Sequence, residues 1–141
     1  MQKLAPHALG IAGELRVMSE LMLRGYNPAK SYLDNGIDIF LDNGKKVQVK
    51  TSLRKIDNHR SICYRLNLQI GGKGNRRVAL ENKFDFLIGF LPLEDSFYII
   101  PSKELGERTS LNILLNGKFA QYKNNWEILG GKYGSIRSGS Q

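Results

Sequence analysis

The sequence predicts an α/β (α+β) fold with a mixed central β-sheet flanked by helices, and three observations carry that expectation. Residues 7–24 repeat apolar side chains at helical spacing, residues 62–70 alternate with the period of a strand, and residues 84–91 form a nearly continuous apolar run of strand length. A hydrophobic fraction of 41% and a charged fraction of 24% suit a chain that packs a core. With 141 residues, the expected organisation is one domain over 1–133 and a flexible tail over 134–141.

In the first segment Ile11, Leu15, Met18 and Met22 form the expected buried stripe, widened by Leu21, and Gly25 stops the helix. Glu14 lies three residues after Ile11 and four before Met18, beside that stripe, where a carboxylate needs a partner. Residues 28–33 predict a first strand, ended by Asp34-Asn35-Gly36. Residues 37–41 predict a second, and Asp42-Asn43-Gly44 a tight turn into a third at 45–50. If Leu41 faces Lys45 across that turn, Ile39 faces Val47 and Asp38 faces Gln48. Alternation then puts Val47 and Val49 on one face with Ile37 and Ile39, and groups Asp38, Gln48 and Lys50 on the other.

Ile62, Tyr64, Leu66, Leu68 and Ile70 are expected to point inward from the strand at 62–70. Residues 71–77 read as a basic, glycine-rich loop without the spacing of a phosphate-cradling loop. The apolar strand 84–91 turns at 92–95 into a strand at 96–100, and residues 101–105 can begin a helix with Ser102 as its cap. Beyond 106 the pattern is weak. Leu111 to Leu115 and Trp126 to Leu129 suit a core or an interface equally.

No window holds the run of about 18 apolar residues that a membrane helix needs, and the first residues lack a signal-peptide pattern. The chain is therefore expected in the reducing cytoplasm, with no membrane partner. Cys63, alone, makes no internal disulfide and no cysteine-based zinc site. His7 and His59 read as surface residues, Cys63 and Trp126 as packing residues. A metal here is expected to be a hard cation on oxygen ligands. The net charge is +8, of which +6 falls within residues 51–83. A local field of that sign attracts polyanions.

Hydrolysis of a phosphodiester needs charge neutralised at a crowded phosphate and a hydroxide-like nucleophile at neutral pH. A cation on two or three oxygens, with a lysine nearby, meets both needs. The sequence supplies an acid on a strand (Asp38), an oxygen-bearing side chain opposite it (Gln48), a lysine two residues on (Lys50) and an upstream helical acid (Glu14). Glu20 is the alternative helical acid.

Gly13-Glu14, then Gly36-Ile37-Asp38-Ile39, then Val47-Gln48-Val49-Lys50-Thr51-Ser52 resembles the PD-(D/E)XK, or restriction-endonuclease-like, nuclease superfamily. The Gln-x-Lys form, with residues 84–88 and 98–101, is similar to a branch that includes homing endonucleases of cyanobacterial group I introns. The resemblance spans roughly residues 10–103. It implies a restriction-endonuclease-like core and a Mg²⁺-dependent endodeoxyribonuclease, with Mn²⁺ as a substitute. It also implies Asp38 as principal metal ligand, Gln48 where most relatives carry Asp or Glu, Lys50 as catalytic lysine and Glu14 as helical acid. The expected partner is double-stranded DNA or a DNA junction, with Arg54, Lys55, Arg60, Lys73, Arg76 and Arg77 as phosphate contacts and base readout open to the loop arginines. Cutting both strands of a duplex takes two active sites or two visits, so a homo-oligomer is expected. The neutral Gln48 motivates a second reading, a nuclease-derived DNA-binding module that no longer cuts.

Overall fold

The computed structural model describes residues 4–33, 35–68 and 79–130. Its elements are α1 (Pro6–Leu23), β1 (Ala29–Lys30), β2 (Ile39–Phe40), β3 (Lys46–Thr51), β4 (Lys55–Asn58), β5 (Ser61–Asn67), β6 (Phe86–Leu91), β7 (Ser96–Pro101) and β8 (Ser110–Leu114), joined by short 3₁₀ turns. The central sheet is mixed, in the order β1-β2-β3-β6-β7. Only β3 and β6 run parallel; the other pairs are antiparallel. A second sheet, β4-β5-β8, lies outside it. No helix among the described residues is long and apolar enough to cross a membrane.

Two apolar layers sandwich the central sheet. On one face Val17 and Leu21 of α1, with Trp126 and Leu129, close over Ile39, Val47, Val49, Ile88, Phe97 and Ile99. On the other, Tyr64, Leu66, Leu111 and Ile113 of the second sheet pack on Leu87, Leu91, Tyr98 and Ile100. Strand β6 is covered on both faces and all six of its residues are buried, which explains its unbroken apolar run. A Cβ at Gly89 of β6 would come within 3.0 Å of Leu66 Cδ1, so the two sheets approach closely there.

The turn reading matches the structure, as does the register at Ile39–Val47. Leu41 N–H donates to Lys45 C=O at 2.9 Å, Gly44 takes φ +89°, and Ile39 pairs with Val47. The helix ends as Gly25 requires: at φ +97° its N–H reaches Met22 C=O, and Tyr26 N–H reaches Leu21 C=O.

The helix face is a correction. Gly13, Val17 and Leu21 are buried, whereas Ile11, Leu15 and Met22 are exposed and Met18 is half-buried. Apolar side chains occur around most of this helix, so periodicity could not choose a face. Seating decides it: a Cβ at Gly13 would overlap Thr51 Oγ1, and the helix meets β3 through that gap.

Other expectations change in extent. The first two strands shrink to two residues each. Residues 101–105 hold one 3₁₀ turn, Ser102–Glu104, without a side-chain cap from Ser102. Strands β4 and β8 were not anticipated. Leu111, Ile113, Trp126 and Leu129 are core residues, which removes them as interface candidates. Of the strand at 62–70, residues 69 and 70 lie outside the described residues, as do the loop at 71–77 and the tail at 134–141.

The face assignment yields a stability contrast. Leu21→Ala is expected to cost roughly 2–5 kcal/mol, and Leu23→Ala, at a side chain 71% exposed, no more than about 0.5 kcal/mol. Denaturant unfolding of both variants measures the difference.

Candidate active site

The β2–β3 hairpin fixes Asp38. Its N–H donates to Val47 C=O at 2.8 Å, and its own C=O accepts from Ser31 N–H at 2.9 Å. Its carboxylate Oδ2 accepts Val49 N–H at 2.7 Å. The acid is thereby tied to the strand that carries Gln48 and Lys50. The strand pairing ends at Ile39–Val47: Asp38 lies just before β2 and reaches β3 at Val47 and Val49, so the expected Asp38–Gln48 cross-strand pair is not part of the register.

Gln48 is only 7% exposed. Its Nε2 makes one long contact, 3.5 Å to Val49 C=O. Its Oε1 is buried and has no hydrogen-bond partner among the described residues. An amide oxygen left so is costly, on the order of 1–3 kcal/mol, unless a ligand satisfies it. Lys50 follows at the next position of the same parity, half-buried.

Glu14 arrives on α1. One residue after Gly13 and three before Val17, it lies along the buried face and is itself half-buried. Burial first, then the like charge of Asp38, hold its carboxyl above the ordinary value of 4.5, while Lys30, Lys50 and His7 pull the other way. Glu14 therefore feels both Asp38 and Lys50. Gln48, with its amide oxygen lacking a partner among the described residues, lies on the strand that carries Lys50 and to which Asp38 is tied.

This donor set fits a hard divalent cation. Oxygen ligands suit Mg²⁺, and a cation would relieve the repulsion between Glu14 and Asp38 while occupying the vacant lone pairs of Gln48. Among the described residues no group of three His, Cys, Asp or Glu forms, so the candidate set is two carboxylates and an amide.

Lys30 was missed in the sequence; His7 is exposed, as expected, and lies close enough to lower the Glu14 pKa slightly. Lys30 pairs with Ile39, next to Asp38, and the expected strand at 28–33 would have revealed it had its register been fixed. Glu20, the alternative acid, is engaged elsewhere by Arg16 at 3.0 Å and Arg24 at 3.1 Å. Of the expected phosphate contacts, Arg54, Lys55 and Arg60 are exposed on and beside the β4–β5 hairpin. Lys73, Arg76 and Arg77 lie outside the described residues.

Beyond Lys50 the chain turns through a polar joint. Ser52 N–H donates to Phe90 C=O at 3.1 Å and its Oγ donates to Arg65 C=O at 2.7 Å, while Arg54 N–H donates to that Oγ at 3.0 Å. Strand β5 is thus anchored two residues from Lys50.

Among solved structures the chain is similar to a bacterial homing endonuclease, I-Ssp6803I, with a TM-score of 0.66, at 15% identity, over 89% of this chain and 91% of that one. The likeness shows a common fold. No family model and no curated protein sequence matches the chain.

The raised Glu14 pKa gives a signed pH effect. The folded chain holds this proton more tightly than the unfolded chain, so stability falls as pH rises from the ordinary carboxylate range through the raised value. Glu14→Gln is expected to flatten that fall and, without divalent cations at neutral pH, to melt no lower than wild type. Thermal melts across that range test it; a steeper decline in the variant would contradict the assignment.

Proposed function

We propose that this protein is a metal-dependent DNA endonuclease of the PD-(D/E)XK type, with Glu14, Asp38, Gln48 and Lys50 as its working residues. The field of Asp38 and Lys50 at Glu14, the hydrogen bond that ties Asp38 to β3, and the Gln48 Oε1 on that strand without a partner among the described residues together support the proposal. The fold common to this chain and a homing endonuclease supports a DNA substrate, as does the charge of +8.

Asp38, held by backbone hydrogen bonds to two neighbouring segments, is the principal ligand for Mg²⁺, with Mn²⁺ as its substitute. Gln48 Oε1 and the Glu14 carboxylate complete the protein's share of the ligands. Held by these residues, the cation would supply Lewis-acid polarisation of the phosphate and acidify water at neutral pH. Lys50 places an ammonium beside the phosphate, where it stabilises the negative charge that grows in the transition state and orients the attacking water. Arg54, Lys55 and Arg60 hold the flanking phosphates. Gln48 adds an oxygen without adding charge, so it ligates while contributing less electrostatic attraction than an acid would.

The substrate we propose is double-stranded DNA or a DNA junction, and the active form a homo-oligomer, since severing a duplex takes two such sites. The apolar side chains left exposed on α1, Ile11, Leu15 and Met22, are the surface on offer for that association. Light scattering at working concentration is expected to give a multiple of the chain mass, and a monomer would contradict it.

The second reading, a DNA-binding module that no longer cuts, draws on the neutrality of Gln48. One assay separates the two. With plasmid, linear duplex and four-way junction in Mg²⁺ or Mn²⁺, wild type is expected to cut, and Asp38→Ala and Lys50→Ala to cut at least about 100-fold more slowly. A chelator is expected to stop the reaction. Equal cleavage by wild type and both variants would overturn the proposal; salt-sensitive binding without cleavage would establish the second reading.

A further inference from the structure

We infer that the outer face of the second sheet, centred on Arg65, Asn67 and Asn112, reads base edges in the major groove of duplex DNA; this rests on the nucleic-acid reading above. The register creates the face. Arg65 pairs with Asn112 and Asn67 with Ser110 across β5 and β8, while Arg65 N–H donates to Arg54 C=O on the other side. The intervening residues Tyr64, Leu66, Leu111 and Ile113 point into the core and are buried, so alternation turns the polar row outward.

The chemistry of that row is selective. The exposed positions of that parity on β4, β5 and β8 carry Ile56, Asn58, Arg65, Asn67, Asn112 and Leu114, without one carboxylate; Cys63 between them is buried, and the exposed Asp57 lies at the opposite parity with Lys55. A sheet face that serves only solubility mixes charges of both signs. Arginine and asparagine are the side chains whose paired donors and acceptors match the major-groove edges of guanine and adenine. The Arg65 guanidinium also contacts Ser110 Oγ at 3.4 Å, which limits its rotation.

Placement supports the same occupant. The joint at Ser52 ties Arg65 to the segment that follows Lys50, so the face and the candidate cutting site belong to one rigid piece. Strand β4 is exposed at all four positions and overhangs the core. With β5 it forms a two-stranded ribbon of the kind that enters a groove about 12 Å wide. Lys55, of opposite parity on that ribbon, is left for phosphates.

The test uses the full chain and a duplex selected from a randomised pool, compared with a scrambled duplex, by anisotropy in Ca²⁺. Wild type is expected to prefer the selected duplex by at least about 100-fold. Arg65→Ala and Asn112→Ala are each expected to reduce that preference by roughly 10-fold or more. Arg65→Lys keeps the charge and the β5 backbone but loses the paired donors, and is expected to lose preference too. Lys55→Ala is expected to weaken both duplexes alike and leave the ratio unchanged. Full preference in Arg65→Ala, Arg65→Lys and Asn112→Ala would overturn the inference, as would a wild type that binds duplex without preference or not at all. The cleavage assay reports separately: a protein that cuts but keeps its preference in the variants loses only the reading face, and one that discriminates but never cuts loses only the nuclease.

Discussion

The seating of α1 on β3 at Gly13 is the contact on which the rest depends. Only a residue without Cβ lets the helix backbone meet Thr51. That contact selects the face bearing Val17 and Leu21 for burial, which in turn carries Glu14 along the sheet into the field of Asp38 and Lys50. A bulkier residue there would lift the helix and loosen both the core layer and the acid pair, because packed interiors give little. The buried Oγ1 of Thr51 is left without a partner at this contact, a local cost accepted where the two backbones come nearest.

The electrostatics of the site follow from the same geometry. Burial first, and then repulsion by Asp38, raise the pKa of Glu14. The Asp38 carboxylate accepts a backbone hydrogen bond from Val49 at 2.7 Å. A third acid at position 48, almost wholly buried, would add repulsion in a place where burial already disfavours charge. Glutamine avoids that cost. Its Oε1 has no hydrogen-bond partner among the described residues, and under the proposed function a bound cation would satisfy it.

Outside the site, strand β3 passes its position on to the second sheet. Ser52 closes hydrogen bonds to β6 and to β5 within two residues of Lys50, so no flexible linker intervenes between the candidate chemistry and the outer polar face. Strand β4 gives up burial at all four positions, while β5 beside it buries Tyr64 and Leu66. A strand with little apolar contact contributes little to the core, and its side chains are correspondingly available to a polyanion.

The sequence by itself determined what is local. The Asp42-Asn43-Gly44 turn set the β2–β3 register, because glycine accepts the positive φ the turn requires and alternation then follows with period two. The nearness of Asp38 to the strand that carries Gln48 and Lys50 was legible for that reason, and strand β6 for its unbroken apolar run. The tertiary structure decided what is non-local. It chose the buried face of a helix apolar on several sides, brought in Lys30 and His7, and shortened the first strands. It also made strands of residues 55–58 and 110–114, whose patterns are weak because β4 is uncovered and β8 buries only alternate residues. Those outcomes depend on which surfaces meet, and a distance between backbones, such as that of Gly13 from Thr51, is written in two distant residues jointly and in neither alone.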